Sequence, residues 1–237
     1  VPKRKRPGGG DVSVGRDKTV KLKRGKGRKV SSRRWLERQL NDPYVAEAKR
    51  RGYRSRAAFK LIELDEKYGF LAKSKRVVDL GAAPGGWTQV VLEAIGPTGT
   101  VVAIDLTPIE PIGDAVILTG DVRDAETEDH LYHALGGRAD LVLSDMAASS
   151  TGHAPTDHLR IVGLIETALD FAEAVLTPGG AFVAKVLQGG TERDLLARLK
   201  RGFAKVAHAK PDSSRKESAE MYVVATGYRG RADSHPE

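Results

Sequence analysis

The chain has 237 residues, 40% hydrophobic and 30% charged, with no cysteine and a formal net charge of +8. That is one α/β domain plus a tail, and it excludes disulfides, thiolate metal sites and a cysteine nucleophile. No run nears the ~18 apolar residues of a membrane span and no signal-peptide segment opens the chain, so a cytoplasmic protein with no membrane contact is expected.

The charge is unevenly placed. Residues 1–34 hold fourteen Lys/Arg against Asp11 and Asp17, a net of +12, and the remainder of the chain sums to −4. A basic tail on an acidic body points to a polyanionic partner, most simply nucleic acid, or else to a solubilising segment. Residues 1–30, rich in Gly, Lys and Arg without apolar periodicity, are expected to be a disordered tail. A folded domain is expected over 31–228, with a short C-terminal tail at 229–237.

From Ser31 the pattern turns helical to about Lys49, with Asn41-Asp42-Pro43 reading as a break and fresh helix start. A second helix follows Gly52 to Tyr68. Its stripe Ala57, Leu61, Leu64, Tyr68 faces the core, and its other side carries Arg54, Arg56 and Lys60.

Strands and helices then alternate, which predicts a mostly parallel sheet with helices on both faces. Strands are expected near Arg76–Leu80, Thr100–Asp105, Ala115–Leu118, Leu141–Ser144, Ala181–Leu187, Lys205–Ala209 and Met221–Thr226. The clearest helix runs from Asp157 to Leu176, stopped by Thr177-Pro178-Gly179-Gly180. Thr191 can cap the next helix. The polar stretch Pro211 to Ala219 is too short for a crossover helix, so the last strand is expected to be antiparallel.

Between the first strand and a helix from Trp87 to Ile95 lies Gly81-Ala82-Ala83-Pro84-Gly85-Gly86. Glycines admit close backbone approach, and the helix start offers unpaired N–H donors. The loop departs from the dinucleotide fingerprint, with Ala83 in place of the third-position glycine and Pro84 inside it. It suits a nucleoside carrying a carboxylate better than a pyrophosphate, or else is an ordinary strand–helix turn.

Asp105 ends the second strand, where a carboxylate can accept from both hydroxyls of a ribose. Asp121, after the third, could take an adenine amino group; either residue could instead cap a turn. Asp79, within the first strand, could bind loop amides. Asp145 ends the fourth strand and Lys185 lies in the apolar fifth, where a lysine is costly unless paired or open to a cleft. Adjacent parallel strands bring these two together, as a catalytic or a structural pair. Glu220, before the last strand, faces the same cleft. Lys60 by itself reads as a solvated lysine beside Glu63. His130 and His133 read as surface residues, and no metal site is expected. Ser213-Ser214-Arg215-Lys216 has an acylase-like spacing without partner motifs and reads as a loop.

The ordered set Tyr53-Arg54-Ser55-Arg56-Ala57-Ala58-Phe59-Lys60-Leu61, Asp79 to Trp87, Ser144-Asp145-Met146, Ala184-Lys185-Val186, Ser213-Ser214-Arg215 and Glu220-Met221-Tyr222 resembles the FtsJ-type ribosomal RNA 2′-O-ribose methyltransferases. The likeness runs from about Ser31 to Tyr228. It implies a Rossmann-like methyltransferase fold with a seven-stranded sheet, S-adenosylmethionine as cofactor, and a catalytic tetrad matched by Lys60, Asp145, Lys185 and Glu220. It also implies cofactor contacts at Gly85, Trp87, Asp105, Asp121 and Asp145. Within the family the large-subunit members fit best, which implies a uridine ribose in large-subunit RNA, a ribosomal-particle substrate and a monomer. One departure follows Ser144-Asp145-Met146, where the chain reads Ala147-Ala148-Ser149-Ser150 and not Ser-Pro-Asn. A lysine in Lys185's place is a candidate base or hydroxyl-orienting group.

Other methyltransferase classes fit less well. The usual cytosine-C5 mechanism needs a cysteine, and the Asn/Asp-Pro-Pro-aromatic motif expected of adenine-N6 enzymes is missing. The rivals from other classes are an RNA-binding assembly factor without catalysis and a small-molecule methyltransferase.

Overall fold

The computed structural model describes residues 37, 39–148, 151–188 and 193–230. The expected basic tail and the Thr191 cap lie outside these. The chain divides into two compact units, Val1–Ala46 and Glu47–Glu237. In the first, Asp42 Oδ1 accepts the Tyr44 N–H at 3.1 Å, the cap of the helix start expected at Pro43. That helix, α1, is Pro43–Arg51.

The second unit holds a seven-stranded sheet. Its strands are β1 (Arg76–Leu80), β2 (Thr100–Asp105), β3 (Val116–Thr119), β4 (Ala139–Ser144), β5 (Leu176–Leu187), β6 (Phe203–Ala209) and β7 (Glu220–Tyr228). Their order is β3-β2-β1-β4-β5-β7-β6. β1 to β5 pair in parallel, and β7 runs antiparallel to both β5 and β6. Val77, Val78 and Leu80 of β1 and Val101 to Ile104 of β2 are buried on both faces, as β-branched runs inside a parallel sheet must be. One face is covered by α2 (Ala57–Tyr68) and α3 (Gly86–Ile95), which pack Leu61, Leu64, Val90 and Val91 against it. The other is covered by α4 (Ala125–Leu135), α5 (Ala154–Val175) and α6 (Arg193–Gly202).

Two expectations are corrected. Thr177-Pro178-Gly179-Gly180 does not separate α5 from the next strand: Leu176 already pairs with Ala139, and the four residues are absorbed in a register shift before Leu141 meets Ala181. The buried Leu176 side chain anchors the strand's early start. Lys60 does not share a solvated side with Arg54; it is buried among the core residues of α2.

The order reverses beside β1, whose neighbours are β2 and β4. That is the point where open α/β sheets leave a crevice beyond the strands' carboxyl ends. Gly81 turns the chain there with φ +73°. A Cβ on it would sit 2.6 Å from Met146 Cγ and 2.9 Å from Met146 main chain, so only glycine lets β1's loop pass so close to the end of β4.

Candidate active site

The register of the sheet builds the site. Ser144 pairs with Ala184, so Asp145 arrives beside Lys185, and Lys185 stands directly opposite Tyr222 on β7. The Lys185 ammonium is 3.0 Å from Asp145 Oδ1 and donates to the Asp145 main-chain oxygen at 2.8 Å. On the other side Lys60 lies 2.6 Å from Glu220 Oε1 and 3.3 Å from the Tyr222 hydroxyl. The Tyr222 hydroxyl donates to Asp145 Oδ1 at 2.7 Å, joining the two ion pairs into one network. The side chains of Lys60 and Lys185 are 10% and 11% exposed, and those of Glu220 and Asp145 17% and 18%. The four expected residues therefore come together, nearly dry.

Burial alone would raise the Glu220 carboxyl. The Lys60 and Lys185 charges and hydrogen bonds from Lys60 and Ser214 outweigh it and hold the group below its usual range. Burial, reinforced by the Asp145 and Glu220 carboxylates, pushes the Tyr222 phenol far up, so it stays a neutral donor.

Tyr222 is the residue that sequence reasoning missed. The signal was available: in a strand, side chains two apart share a face, so Glu220 brings Tyr222 with it. A second missed feature is a clamp on the loop before β7. The Ser213 N–H donates to both Glu63 oxygens, at 3.0 and 3.2 Å, and the Ser213 carbonyl accepts from Arg56. The next residue, Ser214, donates to Glu220 Oε1 at 3.0 Å. Arg56, just before α2, and Glu63 within it thus hold the strap, while Lys60 between them holds Glu220 itself. Ser214→Ala should lower turnover about 3- to 10-fold, the worth of about 1 kcal/mol for one hydrogen bond, with cofactor affinity unchanged by titration.

Beside the network lies a cavity of about 320 Å³ whose walls include Gly81, Ala83, Asp105, Asp121, Asp145 and Met146. Asp105 Oδ2 accepts the Ala83 N–H at 3.0 Å and Oδ1 the Thr107 N–H at 2.8 Å, which fixes its carboxylate at the end of β2. Asp121 is gripped by Arg123, with Nε 2.9 Å from Oδ1 and Nη2 2.5 Å from Oδ2. That bond holds its carboxyl below the usual range. Gly85 and Trp87 stand apart from these wall residues. Neither lines the cavity: the Gly85 N–H turns back to Ala82 O, and Trp87 is 3% exposed, its indole donating to Ala57 O at 2.8 Å beside the Tyr222 ring. What Trp87 can still offer a ligand is its main-chain N–H, in the first turn of α3.

Asp79 is fully buried under the loop. Its Oδ2 accepts from Thr88 at 2.7 Å, and Oδ1 has no partner. Burial, with smaller contributions from Asp145 and Asp105, pushes its pKa to about 7. Below about pH 4 folded and unfolded chains both carry the proton. As pH rises to about 7 the unfolded chain releases it first, so stability falls through that window, by of order 4 kcal/mol for a shift of about 3 units. Urea unfolding of Asp79→Asn across pH 4–8 should show this slope flattened and the variant more stable at pH 8.

His130 and His133 are exposed on α4. Among the described residues no cluster of three or more His, Asp or Glu is arranged to hold a metal, and no helix is long and apolar enough to cross a membrane.

A family model for FtsJ-like methyltransferases matches residues 53–228. The chain is 59% identical over 231 residues to "Ribosomal RNA large subunit methyltransferase E" of Paramagnetospirillum magneticum, covering 95% of each chain. It is 62% identical over 210 residues to the protein of that name from Acidiphilium cryptum, covering 89% of this chain and 92% of that one. Among solved structures, a ribosomal RNA methyltransferase from Plasmodium falciparum superposes with TM-score 0.66 at 33% identity, over 76% of this chain and all of that one.

Proposed function

Because the chain belongs to the FtsJ-like methyltransferase family, we propose that it methylates a uridine ribose 2′-hydroxyl in large-subunit ribosomal RNA, using S-adenosylmethionine. It acts as a cytoplasmic monomer on the ribosomal particle. The observation that carries the choice of acceptor is the convergence of two lysines and two carboxylates, nearly buried, at the rim of a nucleoside-sized cavity. A protein that only bound RNA would gain nothing from desolvating such a cluster.

The residues present fit the cofactor. Asp105 and Asp121 offer carboxylates at the ends of β2 and β3, the glycine loop admits close approach, and the N–H groups opening α3 suit a carboxylate. Bound there, S-adenosylmethionine supplies a sulfonium methyl already activated for displacement.

What remains for the chain is alignment and charge. An ammonium has three N–H donors, and Lys185 has two close oxygen partners on Asp145, which leaves it one donor for a substrate hydroxyl. Lys185 orients the attacking hydroxyl. With Lys60 it offsets the negative charge on the oxygen as that oxygen takes the methyl and its proton passes to solvent water. Tyr222 and Glu220 keep the two ammonium groups in register.

The test supplies labelled S-adenosylmethionine to large subunits from cells lacking the protein, then digests the RNA with alkali. A ribose 2′-O-methyl protects the adjacent phosphodiester, so label should appear in an alkali-resistant dinucleotide containing a uridine. Label on a base, or none, would refute the reading.

A further inference from the structure

The opposite pole of the sheet carries a second groove, of about 720 Å³, more than twice the cofactor cavity. Its walls come from the end of α2 and the segment 69–74 that follows it, the amino ends of β4 and β5, the far end of β7 and part of β6. The active site lies at the carboxyl ends of those parallel strands. Along β5 alone, Ala181 in the groove is about 13 Å from Lys185 at ~3.3 Å per residue.

Three exposed lysines, Lys67, Lys73 and Lys205, line this groove. Its one acid, Asp140, is turned to the main chain. Asp140 Oδ2 accepts the N–H groups of Lys75 and Arg76 at 2.7 and 2.9 Å, and Thr177 Oγ1 lies 3.5 Å from Oδ1. Residues 35–237 carry a net charge of −4, so a groove with three lysines is a local departure from the charge of the body that contains it.

We propose that this groove binds a second stretch of RNA backbone, distinct from the nucleotide at the active site. The proposal rests on the reading of the substrate as ribosomal RNA. Lysines on flexible stems suit irregularly placed phosphates, and opposite charge draws a polyanion to them. A protein partner would look for large apolar anchors. The exposed large hydrophobics among the described residues, Leu40, Leu106, Val116, Tyr132 and Leu159, all lie outside the groove. A two-site grip gives the enzyme purchase on a large folded RNA while the tetrad holds one nucleotide, the multivalent gain of two linked contacts.

The test combines Lys67→Gln, Lys73→Gln and Lys205→Gln in the full chain, with the three Lys→Arg changes as a charge-preserving control. Affinity for unmodified large-subunit RNA is measured across a potassium chloride series, and methyl transfer on large subunits in parallel. Three lost phosphate contacts should reduce the slope of log affinity against log salt by about 2. KM should rise several-fold, while kcat and cofactor affinity stay unchanged and the arginine variant matches wild type. An unaltered slope overturns the proposal. So does a KM that rises on particles while affinity for free RNA is unchanged, which would assign the groove to a ribosomal protein. A wild-type chain that binds RNA yet transfers no methyl would sink the substrate reading instead, and the salt slope would still report on the groove.

Discussion

Lys185→Ala should reduce methyl transfer by at least about 10³-fold while S-adenosylmethionine binding changes by less than about 3-fold. Lys185 is not among the residues that wall the cofactor cavity, so its loss leaves the methyl donor's site intact. On the proposed mechanism, what is lost is the ammonium that aims the ribose oxygen and stabilises charge on it, a contribution of about 4 kcal/mol when one well-placed group is removed from a dry site. Alanine also leaves Asp145 without its ion-pair partner, though the Tyr222 hydroxyl still bonds it. A fall in kcat with unchanged cofactor affinity, by single-turnover kinetics and calorimetric titration, is the expected pattern. Turnover near wild type would remove Lys185 from the mechanism.

Asp145→Asn should be nearly as damaging but with a different signature. Asp145 both walls the cofactor cavity and holds Lys185 and Tyr222. The amide keeps the shape but removes the charge that anchors Lys185, and its NH2 can meet the Tyr222 hydroxyl or the lysine in the wrong donor sense. Turnover is expected to fall about 10²- to 10³-fold and cofactor affinity about 5- to 10-fold. The contrast between a pure kcat defect at Lys185 and a mixed one at Asp145 distinguishes a network that bridges the two sites from two independent ion pairs. Equal effects of the two variants on cofactor binding would contradict that assignment.

Much of the architecture was legible before any coordinates. β1 and β2 fall on the residues expected, Arg76–Leu80 and Thr100–Asp105, because buried β-branched runs between turn residues carry their own signal. The reversal at β7 was legible from chain length alone, since the nine residues from Pro211 to Ala219 cannot span a parallel crossover. Lys60 was not legible from its own helix. The amphipathic pattern of α2 sorts lysine with the solvated side, and only Glu220 and Tyr222, brought from the far end of the chain, make its burial tolerable. The place of Trp87 was illegible for a related reason: the glycine-loop motif says that the segment meets a ligand, but not that the Trp87 ring packs against Tyr222.

By itself, the sequence determined the strand and helix identities, the glycine bend and the acidic residues at strand ends, because each depends on interactions within a few residues. Only the tertiary structure decided which charged groups share one nearly dry pocket. Lys60 and Tyr222 are 162 positions apart, and they meet because β7 inserts between β5 and β6. The energy of such a cluster depends on desolvation, which is set only when the packed elements exclude water, and no local pattern of residues records that event.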